Sequence, residues 1–149
     1  MKKETAEKTS LEIKRFIKAS AARVYDAWTD VAQLRQWFGP ENVRTRNLTA
    51  DVRVGGRYRW DLTSPEGEEM SAFGEYKELV PGSRIVFTWQ WDDDEAWANR
   101  TSVVTIELFE QGGGTELCLR HEQLPSEESR DRHNEGWNSL LDGLEQFLR

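Results

Sequence analysis

The chain has 149 residues, which suits one domain with a core that buries about two-thirds of the surface its unfolded form exposes. A formal charge of −7 and a pI near 5.0 argue against a nucleic-acid backbone or an anionic membrane as the main partner, because both need a basic face. The single cysteine, Cys118, excludes an internal disulfide, and no window approaches about 18 uninterrupted apolar residues, so nothing reads as a membrane span. Met1-Lys2-Lys3-Glu4-Thr5 leads into polar residues rather than an apolar signal core, and with the lone cysteine this predicts a cytoplasmic protein.

Residues 1–10 are polar and aperiodic and are expected to form a flexible tail, leaving 11–149 as the single domain. Leu11 to Ile17 reads as a strand. Ser20 can cap a short helix from Ala21 to Thr29, with Val24, Ala27 and Trp28 on one apolar face. Asp30 and Gln33 resemble a capping box for a second short helix, which carries Leu34, Trp37 and Phe38 before Gly39-Pro40 stops it. From residue 41 to Glu122 the pattern changes to strands separated by Gly55-Gly56, Ser64-Pro65-Glu66-Gly67, Pro81-Gly82 and Gly112-Gly113-Gly114. Six strands are predicted near Val43–Asp51, Arg57–Thr63, Glu69–Val80, Arg84–Trp91, Arg100–Glu110 and Thr115–Glu122. Their short loops imply antiparallel neighbours, since parallel strands need long crossovers. Ser126 then caps a final helix that runs to the end, with His133, Trp137, Leu140, Leu141, Leu144 and Leu148 along one stripe. Gly136 and Gly143 lie on one flank of that helix. Interior glycines cost roughly 1 kcal/mol each, so a close approach to the sheet is expected to compensate.

The seven tryptophans are the most informative feature of the composition. In Arg84 to Trp91, alternation places Ile85, Phe87, Trp89 and Trp91 on one face, and Tyr58, Trp60 and Leu62 share a face of the strand before. An aromatic wall of this kind either fills a core or lines a pocket, because the two use the same residue types.

The order of elements, with Val24-Tyr25-Asp26-Ala27-Trp28-Thr29-Asp30, Gln36-Trp37-Phe38-Gly39-Pro40, Val54-Gly55-Gly56-Arg57-Tyr58-Arg59-Trp60, Arg84-Ile85-Val86-Phe87-Thr88-Trp89 and His133-Asn134-Glu135-Gly136-Trp137, resembles the bacterial branch of the activator-of-heat-shock-ATPase homologue family. That family lies within the START-like (SRPBCC) superfamily, and the resemblance runs from Leu11 to Leu148. It implies an α+β helix-grip fold: a curved seven-stranded antiparallel sheet, two short helices, and a long C-terminal helix closing a deep cavity. The superfamily includes lipid and hormone binders, polyketide cyclases, hydroxylase subunits, a self-sacrificing resistance protein and chaperone regulators, so the fold alone does not specify a chemistry.

His121 and His133 are the only histidines. Thr115, Leu117, Leu119 and His121 share the inner face of the last strand, and both imidazoles are expected near one space. They either anchor a ligand's carbonyl or hydroxyl as a polar or acid–base pair, or are hydrogen-bonded structure at the rim; the second reading is preferred. Ser102, a polar exception on the inner face, either contacts ligand or holds water. Trp37 and Phe38 precede a loop expected at the cavity mouth, where binding tends to reside. The candidate ligand-binding residues are therefore Trp37, Phe38, Tyr58, Trp60, Phe87, Trp89, Trp91, Ser102, His121, His133, Trp137 and Leu141.

Cys118 faces away from His121, so no metal-ligand spacing arises, and no cofactor is expected. Gly112-Gly113-Gly114 joins two strands rather than a strand and a helix, which rejects a phosphate loop. Asp92-Asp93-Asp94-Glu95 reads as a solvated hairpin tip. No nucleophile–base–acid constellation stands out, which favours a binder of a small apolar or aromatic molecule over an enzyme. A chaperone-regulating interaction module and a cyclase-like pocket that acts by folding its substrate are the alternatives.

Overall fold

A computed structural model describes residues 8–40 and 42–149; most of the expected flexible tail lies outside the described residues. Seven strands form one antiparallel sheet: β1 (Leu11–Ile17), β2 (Arg44–Ala50), β3 (Arg57–Thr63), β4 (Glu69–Val80), β5 (Arg84–Trp91), β6 (Ser102–Gln111) and β7 (Gly114–Glu122). The spatial order is β1-β7-β6-β5-β4-β3-β2, a meander whose last strand pairs with the first. Helices α1 (Ala21–Thr29) and α2 (Val31–Trp37) follow β1, and α3 (Glu127–Phe147) closes the chain. This is the expected helix-grip architecture, with strand ends displaced by one or two residues at β2, β6 and β7.

Local chemistry accounts for the boundaries. Ser20 Oγ accepts from the Arg23 amide at 3.2 Å to start α1, and Ser126 Oγ accepts from the Ser129 amide at 3.1 Å to start α3. At α2 the Asp30 carboxylate accepts from the Ala32 amide (3.0 Å) and also from Gln33 Nε2 (3.2 Å). Gln33 therefore meets the cap's side chain instead of its backbone N–H, a departure from the reciprocal box. Register shifts at Thr45/Asn47 in β2 and Tyr76/Glu78 in β4 insert bulges, which bend the sheet around α3.

The core lies between the concave sheet face and the helices. Leu117 and Leu119 of β7, Val104 and Ile106 of β6 and Ile85 of β5 are buried on it. Trp137, Leu140, Leu141 and Leu144 of α3, with Leu148 at its C-cap, cover them. Arg15 of β1 pins the helix from the edge, donating to Asp142 and Glu145 at 2.7 Å each and to the Asn138 carbonyl at 3.1 Å. At the other end Arg130 donates to the Lys8 carbonyl and the Leu124 amide to the Thr9 carbonyl, which ties residues 8 and 9 to the start of α3. Among the described residues no helix is long and apolar enough to cross a membrane.

The two helix glycines depart from expectation. A Cβ on Gly143 would meet the Trp37 carbonyl of α2 at 3.4 Å, an ordinary contact, and one on Gly136 would meet nothing within 4 Å. Neither glycine answers a close approach to the sheet. Gly136 instead leaves space.

Candidate functional site

That space is a cavity of about 230 Å³ between the sheet and the N-terminal half of α3. Trp60 and Leu62 of β3, Trp89 and Trp91 of β5, and Met70 of β4 form the sheet side. Across from them stand His133, Gly136, Trp137 and Leu140 of α3, while Pro40 and Val43 close one end. Five of the seven tryptophans line it, counting Trp97. Trp97 is the one of these five that the candidate residues did not include. Asp92-Asp93-Asp94-Glu95 are exposed, as expected of a hairpin tip, but Asp94 also accepts from the Ala96 amide at 3.0 Å and starts a 3-10 turn, Glu95–Trp97, that folds the indole inward until it is buried. The signal available in the sequence was a tryptophan three residues after an aspartate able to cap a turn.

Deeper in the core lies a second void of about 30 Å³, and Trp60 and Trp89 line both spaces. Phe38, Tyr58 and Phe87, predicted for the ligand site, face this inner void instead. The Tyr58 hydroxyl donates to the Thr88 carbonyl past Gly74, where any Cβ would collide with that carbonyl. Burial holds the Tyr58 hydroxyl well above the usual phenol range and pushes Tyr76 up to about 12, so both stay neutral.

Other predicted residues sit away from both spaces. Trp37 packs edge-on against Trp28 with ring centres 4.7 Å apart, and its Nε1 donates to the Ala27 carbonyl at 2.8 Å. It fixes the α1–α2 corner; Pro40, three residues on, reaches the cavity. Leu141 is wholly buried core, and its neighbour Leu140 takes the lining position.

The histidines hold tryptophans in place. Trp137 Nε1 donates to His121 Nδ1 at 3.0 Å, which leaves the proton of the neutral ring on Nε2. That nitrogen faces Ser102 Oγ at 2.7 Å, and Ser102 donates onward to the Trp89 carbonyl at 2.7 Å. His121 and Ser102 are fully buried, and neither borders the cavity. His133 does border it. Its Nδ1 donates to the Ser129 carbonyl at 2.7 Å, and its Nε2 accepts from Trp91 Nε1 at 3.0 Å, linking α3 to β5. Desolvation drives His121 well below the ordinary histidine range, with neighbouring His133 adding to the effect. His133 is lowered chiefly by burial and further by Arg132, against the Ser129 hydrogen bond. Both rings are therefore neutral at pH 7, and every ring nitrogen is committed.

Among the described residues, Arg132 and Asp94 bring the only fixed charges to the lining, and both are exposed. Among the described residues no group of three or more His, Cys, Asp or Glu side chains is placed to hold a metal ion.

A curved antiparallel sheet gripping a long terminal helix over an aromatic cavity defines a helix-grip protein of the START-like class. Residues 18–149 match the family described as "Activator of Hsp90 ATPase homolog 1-like protein", and the chain belongs to that family. A solved protein from Chromobacterium violaceum is similar over 94% of this chain and 96% of its own, with 30% identity and a TM-score of 0.84. The AHSA1 protein from Silicibacter pomeroyi is 28% identical with a TM-score of 0.78, over 92% of this chain and 95% of its own. The human activator of 90 kDa heat shock protein ATPase homolog 1 is 29% identical over 75 residues. Those residues are 49% of this chain and 21% of the human protein, so the chain matches about a fifth of that relative's length.

Proposed function

We propose that this chain binds a small, mainly apolar molecule with an aromatic body in the cavity between β3, β5 and α3. The observation that supports this most directly is the space itself: about 230 Å³ kept open among five tryptophans, where a packed core would close. An apolar cavity of about 150 Å³ takes a benzene ring, so this one suits a molecule of about two fused rings. The histidines support binding over acid–base catalysis, because their nitrogens are engaged in positioning Trp91 and Trp137.

Titration with 2-methylnaphthalene, followed by tryptophan fluorescence and calorimetry, tests the reading. Saturable binding is expected, weakened at least about tenfold by Gly136→Leu, which adds apolar bulk at the lining. Trp37→Leu serves as the control outside the cavity. Unsaturable binding, or equal affinity in Gly136→Leu, counts against the cavity.

A second reading is regulation of a heat-shock ATPase by direct contact, and the family match is the observation that favours it. Adding the purified chain to a 90 kDa heat-shock protein ATPase should then change its turnover; an unchanged rate at saturating protein removes this reading.

A further inference from the structure

We infer that the molecule in the cavity carries a neutral acceptor oxygen, received at the inner end by the indole N–H groups of Trp89 and Trp28. This rests on the proposed binding role and names the ligand's class: an aromatic ketone or related carbonyl compound in place of a plain hydrocarbon.

Four of the seven indole N–H groups have protein acceptors: Trp37 to Ala27, Trp60 to Thr45, Trp91 to His133 and Trp137 to His121. Among the described residues, the buried side-chain nitrogens and oxygens without a partner are Trp28 Nε1 and Trp89 Nε1, and no others. Both residues are 3% exposed, so water from outside does not serve them. A buried donor left unpaired costs about 1–3 kcal/mol, and native cores hold few such groups.

The two residues that carry them border one space. Trp28 and Trp89 both line the inner void, and Trp89 also lines the main cavity. Much of the void's remaining wall is hydrocarbon, including Leu34, Leu48, Ile85 and Phe87. At about 30 Å³ the void is too small for a ring but admits one or two heavy atoms. An oxygen on the end of an apolar body meets that description, and a carbonyl has two lone pairs for two donors. A carboxylate does not, because an ion in this position would be buried without a cation; Arg132 stands exposed at the main cavity. A water trapped there offers the same oxygen, and the ligand's carbonyl would replace it.

The test compares 2-acetylnaphthalene with 2-isopropenylnaphthalene, whose =CH₂ replaces =O at nearly constant shape, using the full nitrogen-15-labelled chain. The ketone should bind about tenfold tighter by calorimetry. The Trp28 and Trp89 indole N–H resonances, assigned through their nuclear Overhauser contacts, should move downfield with the ketone and stay put with the isostere. Trp89→Phe keeps a ring and removes the donor; it should narrow the preference to within about threefold, and Trp28→Phe repeats the test should the first variant not fold. Equal affinities, stationary resonances, or a full preference surviving in both variants would overturn the polar inner end. If the isostere still binds in those cases, the proposed binding role stands; if neither probe binds, both fall.

Discussion

Acidification should unfasten α3 from the sheet, because two of the links between them depend on a neutral imidazole accepting from an indole. Protonating His133 Nε2 or His121 Nδ1 sets a donor against the Trp91 or Trp137 N–H. The sign follows from the direction of the shifts. Both histidines titrate lower in the folded chain than in the unfolded one, where the value is near 6.5. Below that pH the unfolded chain takes up protons that the folded chain refuses, so stability falls with pH until the folded values are reached. A ring that stays neutral throughout loses about 1.4 kcal/mol between about pH 7.5 and 5.5, and two such rings lose about 2.7 kcal/mol. His121, shifted further, should deliver its full share, and His133 part of its own. Hydrogen-bonded carboxylates such as Glu12 and Asp61 are lowered, so their losses come below about pH 4.5 and do not overlap this window. Urea melts at half-unit pH steps measure the loss directly, and His133→Gln should shrink it. Stability flat from pH 7.5 to 5.5 would refute neutral, committed imidazoles.

Leu144 is fully buried beneath α3, so Leu144→Ala should cost about 2–5 kcal/mol in a urea melt; a change under about 0.5 kcal/mol would show that the helix does not seal the core. Gly136→Ala should raise stability by up to about 1 kcal/mol, because the added methyl meets no atom within 4 Å and the helix gains a better former. Trp37→Leu should lower stability by about 2–4 kcal/mol and leave probe affinity within about twofold, since the indole holds the α1–α2 corner and does not border the cavity.

What the sequence made legible was direction. Period-two alternation correctly turned Trp60, Trp89 and His121 toward the helix, and the stripe on α3 picked out Trp137, Leu140, Leu141 and Leu144. Alternation fixes which face a side chain occupies but not how far along the strand the packed core ends. His121 and Ser102 therefore joined the candidate site although they lie behind it, while Trp91, at the end of β5, reaches the opening. Phe38 and Trp37 show the same gap at a helix end, where a turn of about 100° per residue separates neighbours that look equivalent in sequence. Periodicity could not place Trp97 for another reason: a side chain on the Asp94 turn is aimed by loop dihedrals, so only the capping aspartate three residues before it gave a signal.

The cavity is maintained against the ordinary pressure to fill it. A sealed void of about 230 Å³ would forgo about 5.5 kcal/mol at about 24 cal/mol per Å³, an upper bound that the open mouth of this cavity reduces. Closing it would take little, since Gly136 stands at the lining with room for a side chain. The opposite arrangement is found. Trp60, Trp91 and Trp137 each have their N–H tied to an acceptor in the protein, Thr45, His133 and His121, which orients the rings. Indoles anchored by their own hydrogen bonds, opposite a glycine that leaves the gap unfilled, are the arrangement that the proposed binding role requires.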